Sequence, residues 1–324
     1  MTLHELHPSP AEAVSDRALV ALQRWARERP TQIALRHRRR GAWHAWRWID
    51  VQRDVERLAD GLRRQQGFSA GARLALSGAL EPSLLLLALA ARQLGGHSRV
   101  ISPHSRGQAL QRQLRQARPS FAFVQRRESL AHWLHSGLAE QWPLQLFCAQ
   151  ATTLGKAQWQ VQPLSALLVA EAAPAQRQGW TQVAGDEVLW VDEGTEWQDG
   201  LGHLLQHWLE QGISVAFPEN RESSSRDRRE IAPTGLLLSS ARVETLAEEI
   251  EASLAPAGSW RRRWCDWTLA HPQRLFARVV KARVRRLLGF QRLRRIEVPS
   301  AALGTAQPQP VSGAWLAQYL ERAA

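Results

Sequence analysis

The stretch Arg73–Val124, RLALSGALEPSLLLLALAARQLGGHSRVISPHSRGQALQRQLRQARPSFAFV, decides the fold class. Arg73–Ser77 reads as a short strand. Pro82 and the pair Gly95–Gly96 bracket an apolar helix over Pro82–Leu94, since proline suits a first helical position and glycine a helix end. Val100–Ser102 reads as the next strand and Arg106–Arg115 as the next helix. Pro119 then leads into Phe121–Val124, a continuous apolar run of the kind buried on both faces of a parallel sheet. Strand, helix, strand, helix, strand predicts parallel pairing in an α/β layer architecture.

Upstream, Leu19, Leu22 and Trp25 recur at helical spacing between Ala18 and Arg27, and Pro30 stops the pattern. Gln32–Arg36 alternates around Ile33 and Leu35, Gly41 supplies a turn, and Trp43–Trp48 resumes in extended form, which predicts a hairpin. A second helix follows, with Asp50 as its N-cap, Val51, Val55, Leu58 and Leu62 on one face, and Gly67 at its end.

The chain of 324 residues is 44% hydrophobic, enough for a sizeable core. Cys148 and Cys265 lie far apart and match neither a zinc spacing nor a disulfide framework, and read as half-buried thiols in a reducing compartment. Met1–Pro10 lacks the basic-then-apolar order of a secretory signal, so a cytoplasmic protein is expected. The longest apolar run, Leu84–Ala91, is too short to cross a bilayer. The net charge of +12 invites an anionic-membrane or nucleic-acid partner. Only Lys156 and Lys281 among the 42 basic residues are lysines, and the 15 tryptophans stand beside one tyrosine, so coding bias accounts for the excess as readily as selection for a partner.

Two long stretches carry a family resemblance. The first runs from RPTQIALRHRRRGAWHAWRWIDVQRDVERLADGLRRQQGFSAGARLAL through SLLLLALAARQLGGHSRVISPHSRGQALQRQLRQARPSFAFV. The second opens with GDEVLWVDEGTEWQDGLGHLLQHWLEQGISVAFPEN, includes the W-x-x-R-x-x-D-W-x-L-A rhythm of Trp260–Ala270, and ends at VSGAWLAQYLERAA. Both resemble AMP-forming acyl-CoA synthetases of the adenylate-forming superfamily, most nearly the long-chain fatty acid branch. The resemblance implies the two-lobed large N-terminal domain of those enzymes, with mixed and parallel sheets flanked by helices, a first lobe over residues 1–165 and a second over 166–324. The small C-terminal domain, which carries the catalytic lysine in the family, and the YGxTE motif are expected to be absent from this chain.

The family activates carboxylates with ATP and Mg and passes them to CoA. Its loop TSGTTGxPKG follows a buried strand, because glycines let backbone N–H groups wrap the phosphates while hydroxyls and a lysine add donors and charge. The matching strand here is expected at Ala166–Val169. The loop after it reads Ala170, Glu171, Ala172, Ala173, Pro174, Ala175, Gln176, Arg177, Gln178, Gly179, with Gly179 alone in its family place. Pro174 has no N–H to donate, Ala172 and Ala175 resist positive φ, and Glu171 adds negative charge where the ligand is most negative. The expectation is a degenerate loop, no catalytic residues and no bound cofactor, with ATP, Mg and CoA required only if the family activity survives. Thr152–Lys156 has the look of a fragment of a phosphate loop and of an ordinary turn.

The family's L-P-L-A-H segment corresponds to Asp192, Glu193, Gly194, Thr195 and Glu196, expected to be a solvated acidic loop. The adenine-contacting turn after the strand Leu293–Val298 corresponds to Pro299–Ala302. His203 and His207 stand at i and i+4 on a helix, without an evident third ligand, so no metal site is expected. Near the end, Trp260, Trp264 and Trp267 are interleaved with Arg261, Arg262 and Arg263. After Pro272 an apolar face of Leu275, Phe276, Val279, Val280, Val284, Leu287 and Leu288 is flanked by Arg274, Arg278, Lys281, Arg283, Arg285 and Arg286. That pattern suits first a helix packed on its own domain, where the resemblance places it, and second one resting on anionic lipid. The candidate membrane or partner surface is therefore Trp260, Arg261, Arg262, Arg263, Trp264, Trp267, Arg274, Arg278, Lys281 and Arg285. Nucleic acid is disfavoured, because no DNA- or RNA-binding motif accompanies the charge. The functional expectation is a pseudoenzyme that binds or regulates an active acyl-CoA synthetase or a lipid-handling complex, peripheral to the inner membrane face. A partner-assisted ligase and a basic membrane- or nucleic-acid-binding protein are the alternatives.

Overall fold

A computed structural model describes residues 10–65, 67–149, 156–168, 187–253, 258–270 and 275–299. In chain order the elements are α1 (Pro10–Glu28), β1 (Ile33–Arg39), β2 (Ala42–Arg47), α2 (Trp48–Arg64), β3 (Arg73–Ser77), α3 (Pro82–Gln93), β4 (His97–Val100), α4 (Gly107–Ala117), β5 (Phe121–Val124), α5 (Arg127–Leu134), β6 (Leu144–Cys148) and β7 (Trp159–Pro163). A 3-10 turn (Leu164–Leu167) precedes β8 (Val188–Trp190), α6 (Gly200–Gln211), β9 (Ser214–Phe217), α7 (Ser224–Ile231), β10 (Gly235–Leu237), α8 (Ser240–Ser253), α9 (Trp260–Ala270), α10 (Leu275–Leu288) and β11 (Arg295–Glu297). The described residues form two units interleaved in sequence, one drawn from Met1–Leu35, Ala45–Gln178 and Gly194–Gly212, the other from Arg36–His44, Gly179–Glu193 and Ile213–Ala324.

The first unit is built on a five-stranded sheet, β4-β3-β5-β6-β7, every pair parallel. The strand expected at Val100–Ser102 begins three residues earlier, at His97, and ends at Val100. Gly95 and Gly96 end α3 so tightly that the His97 N–H already reaches the Ala72 carbonyl at 2.8 Å, and pairing starts with Arg73 opposite His97. The helix α3 is apolar on every side because every side is covered, with Leu84 through Ala91 all buried. Asp50 is not the N-cap of α2. Arg47 holds that position, and Asp50 sits inside the first turn, accepting the Arg47 N–H at 3.1 Å. The expected strand at Ala166–Val169 is replaced, as far as it is described, by the 3-10 turn. Gly61 of α2 explains the change, since a Cβ there would lie 2.1 Å from the Leu167 carbonyl oxygen, and the bare glycine surface lets that carbonyl dock on the helix. Arg64 Nη2 donates to the same carbonyl at 3.0 Å.

Three tryptophans join α1, α2 and α6. Trp48 stacks on Trp208 at 5.2 Å between ring centroids, Trp25 packs on Trp48 at 6.2 Å, and Trp25 Nε1 donates to the Leu209 carbonyl at 2.6 Å. Such ring pairs contribute about 0.5–1.5 kcal/mol each beyond their burial.

In the second unit β8 is flanked by β10 and β9, with β11 outside β10, and the contacts among these four are parallel. The hairpin of β1 and β2 completes the sheet order on the β9 side, its two-residue turn Arg40–Gly41 having φ of 50° and 74°, the left-handed values that two-residue hairpins require. The core under this sheet joins Val188, Trp190, Leu236 and Ile296 to Leu246 and Ile250 of α8 and to Val284 and Leu288 of α10.

Candidate functional site

An open parallel sheet binds its ligands beyond the carboxyl ends of the strands, at the point where successive connections diverge to opposite sides. In the second unit β8 stands between β9 and β10, the two strands that follow it in sequence, so the chain leaves β8 for one neighbour and then crosses past it to the other. The divergence therefore lies past β8, where Asp192 and Glu193 stand.

Both carboxylates are buried and engaged. Asp192 accepts Arg242 Nε at 3.1 Å on one oxygen and Arg242 Nη2 at 2.8 Å on the other, which also accepts the Ser224 hydroxyl at 2.6 Å. The two paired side chains are 1% and 2% exposed. Arg242 reaches on to Glu249 with Nη1 at 2.7 Å. Because Ser224 begins α7 and Arg242 lies in the first turn of α8, one carboxylate ties two helices to the end of β8. Glu193 accepts the Ser239 N–H at 2.6 Å, at the N-terminal end of α8, where a helix favours an anion. Burial alone would raise the Asp192 carboxyl. The hydrogen bonds and charge of Arg242, then the Ser224 hydroxyl and the Arg228 charge, outweigh burial and hold it below the usual carboxylate range. Burial likewise opposes the charge on Arg242, and Asp192 and Glu249 reverse that and raise it. The result is a fixed ion pair. A general base needs a pKa near the working pH, and Asp192 is held below the usual carboxylate range.

The first unit closes its own divergence point in a similar way. There α3 leads from β3 to β4 and α4 leads back across to β5, so the crevice lies past β3 and β5. The fully buried Thr195 hydroxyl accepts the Gly78 N–H at 3.0 Å and donates to the Ile101 carbonyl at 2.7 Å, and the Thr195 N–H donates to the Gly78 carbonyl at 2.8 Å. Gln125 Oε1 accepts the Ala79 N–H at 2.6 Å. A Cβ on Gly78 would fall 2.3 Å from that oxygen, so the backbone here is packed against its own side chains.

The expected solvated acidic loop is thus corrected: Asp192 and Glu193 are buried in a network whose cation stands fifty residues away in sequence. The loop expected to be degenerate, Ala170, Glu171, Ala172, Ala173, Pro174, Ala175 and Gly179, lies outside the described residues, as do Thr152–Gly155, Ser300–Ala302 and Tyr319. His203 stacks on Trp197 at 5.9 Å and His207 meets Gln211 at 3.3 Å. Among the described residues no group of three or more histidine, cysteine, aspartate or glutamate side chains could hold a metal.

On the basic helices, Trp260, Arg263 and Trp264 of α9 and Arg278 of α10 are exposed, while Trp267 and Lys281 are half-buried. Arg262 is tied to Glu251 and to Asp266. Arg274 and the side chain of Arg261 lie outside the described residues. Arg285 does not belong to an open cationic surface. Its guanidinium donates to the Phe290 and Leu293 carbonyls at 3.2 and 3.1 Å, serving the chain just past α10. The single apolar face expected on α10 is also divided. Val284 and Leu288 are buried and Val280 packs on the core beside them, whereas Val279 is 66% and Leu287 59% exposed.

The family model described as "AMP-binding enzyme" matches residues 22–184. No curated protein matches the chain. Among solved structures, the A domain of carboxylic acid reductase from Segniliparus rugosus, in complex with AMP and a co-purified carboxylic acid, aligns at 15% identity over 96% of this chain and 61% of that one, with a TM-score of 0.65. The adenylation domain of a carboxylate reductase from Mycobacterium chelonae aligns at 16% identity over 91% and 56%, TM-score 0.61. A long-chain-fatty-acid CoA ligase from Rhodopseudomonas palustris, described as putative, aligns at 15% over 74% and 65%, TM-score 0.52. The chain thus spans less than two thirds of each of these structures, and at such identities they establish the fold, that of the large domain of adenylate-forming enzymes. With half of its length matched by the family model and its sheets ordered as described, the chain belongs to the AMP-binding enzyme family.

Proposed function

We propose that this chain is a non-catalytic member of its family, a pseudoenzyme derived from a long-chain acyl-CoA synthetase that acts as a binding or regulatory subunit in acyl metabolism. The observation that carries the reading is the hydrogen-bond network at the carboxyl end of β8. Its donors are the Ser224 hydroxyl, the Arg242 guanidinium and the Ser239 N–H, and all three are spent on Asp192 and Glu193. A triphosphate is held by donors of this kind, and these described donors are already taken by carboxylates of the chain itself, so they do not fit ATP. The sequence of Ala170–Gly179 supports the same reading, with Pro174 and Glu171 where donors and positive charge are needed.

The test is a thermal-shift and calorimetric titration of the chain with Mg-ATP and with a non-hydrolysable long-chain acyl-adenylate mimic, beside a pyrophosphate-release assay. Silence toward Mg-ATP in all three is expected, and ATP-dependent pyrophosphate release would overturn the reading. The regulatory role predicts that adding the chain to an active acyl-CoA synthetase from the same cell changes that enzyme's rate. A second reading, a fatty-acid ligase completed by a partner chain, draws on the AMP and carboxylic acid bound in the Segniliparus rugosus structure. It predicts pyrophosphate release that requires both chains together.

A further inference from the structure

We infer that the outer faces of α9 and α10 form a docking surface for an anionic lipid bilayer. On α10, Val279, Ala282, Arg283, Arg286 and Leu287 are all exposed, and their spacing of i, i+3, i+4, i+7 and i+8 sets them on one stripe. The opposite stripe, Val280, Val284 and Leu288, packs into the core of the unit, so burial of the helix does not account for the outer one. An open depression of about 700 Å³ lies along this stripe, lined by Ala282, Arg283, Arg286, Leu287 and Gln291. On α9, which packs against α10, the exposed Trp260, Arg263 and Trp264 repeat at i, i+3 and i+4.

Charge complementarity chooses the occupant. No acidic residue occurs in α10, and the one in α9, Asp266, is paired with Arg262. The chain as a whole carries a net charge of +12. A second copy of the same face would bring arginines against arginines. Arginine flanked by half-submerged valine and leucine, with tryptophan on the adjacent helix, matches the headgroup level of an anionic membrane, where guanidinium meets lipid phosphate and the indole sits at the polar–apolar boundary. Among the described residues no helix is long and apolar enough to cross a membrane, so the contact is peripheral.

The experiment is co-sedimentation of the full chain with phosphatidylcholine vesicles, with and without about one third phosphatidylglycerol, across a salt series. Binding to the anionic vesicles that weakens with salt is expected, with little binding to the neutral ones. The double substitution Arg283→Ala/Arg286→Ala should weaken binding roughly 20- to 30-fold, at about fivefold per arginine near the surface. Trp260→Ala/Trp264→Ala should also weaken it. The pair Arg112→Ala/Arg115→Ala on α4, exposed and equal in charge lost, should change binding less than about twofold if position rather than net charge matters. Thermal unfolding of each variant separates misfolding from lost contact. Equal losses from the two arginine pairs, equal binding to neutral vesicles, or no vesicle binding at low salt would each overturn the inference. So would duplex DNA binding that depends on Arg283 and Arg286 while vesicles are ignored. The outcome is independent of whether the chain turns over ATP.

Discussion

Replacing Asp192 with alanine removes one member of an ion pair whose side chains are 1% and 2% exposed, and leaves the Arg242 guanidinium in the same buried place. Breaking a buried pair from one side costs about 3–5 kcal/mol, because the remaining charge has lost its compensation. Glu249, bonded to Arg242 at 2.7 Å and 43% exposed, retains part of that compensation. The Ser224 hydroxyl also loses its acceptor. The expected loss is therefore near the lower end, about 3 kcal/mol, or a fall of roughly 6–12 °C in the calorimetric transition of the unit that carries it. Arg242→Met should cost a similar amount by stranding Asp192. The double variant should cost clearly less than the sum, since neither charge is left unpaired, with a coupling of about 2 kcal/mol. Acid gives a second reading of the same bond. The folded Asp192 carboxyl is held below its unfolded value near 3.9, so its stabilisation is present above that value and is lost as pH falls through the folded one. The gap between wild type and Asp192→Ala should be full at neutral pH and narrow below about pH 4. A loss under about 1 kcal/mol, an additive double variant, or a gap that widens in acid would refute the account of Asp192 as a structural anion.

Thr195→Val should cost about 2–4 kcal/mol, because the Gly78 N–H and the Ile101 carbonyl both lose a buried partner, while Thr195→Ser should restore most of it in the same thermal assay. Gly61→Ala would gain about 1 kcal/mol on an open helix but should here cost about 1–3 kcal/mol, since the new methyl meets the Leu167 carbonyl. Stabilisation on chemical denaturation would mean that the 3-10 turn does not rest on α2.

How much of this could be read from the sequence depended on whether the deciding contacts were local. The bounds of β3 and β5 were legible to the residue, because proline, glycine and unbroken apolar runs punctuate that stretch. The start of β4 is not legible in its own composition, because a hydrogen bond from the His97 N–H to the Ala72 carbonyl sets it. Leu164–Leu167 was illegible for the same reason, its form depending on a missing side chain about a hundred positions earlier. The run Asp192–Glu196 looked like a solvated loop because local charge density says nothing of Arg242 or Ser224, which the sheet order brings to the end of β8. On α10 the arginines were plain, and the turn after the helix decided that Arg285 would serve backbone carbonyls while Arg283 and Arg286 faced out.

A crevice shaped for a polar ligand carries donors that the ligand satisfies. Without the ligand, each buried donor left unpaired costs about 1–3 kcal/mol, and the first turns of α7 and α8 together present several of them past β8. A chain can lower that cost by widening the crevice to water or by supplying its own acceptors. This chain does the latter, with Asp192 across Arg242 and Ser224 and with Glu193 at the N-terminus of α8. On the proposed reading, loss of nucleotide binding and gain of two buried carboxylates are one change: the anion that the crevice once took from solution is now part of the chain. On that reading the fold needs no nucleotide past β8, since the donors there are satisfied by carboxylates of the chain itself.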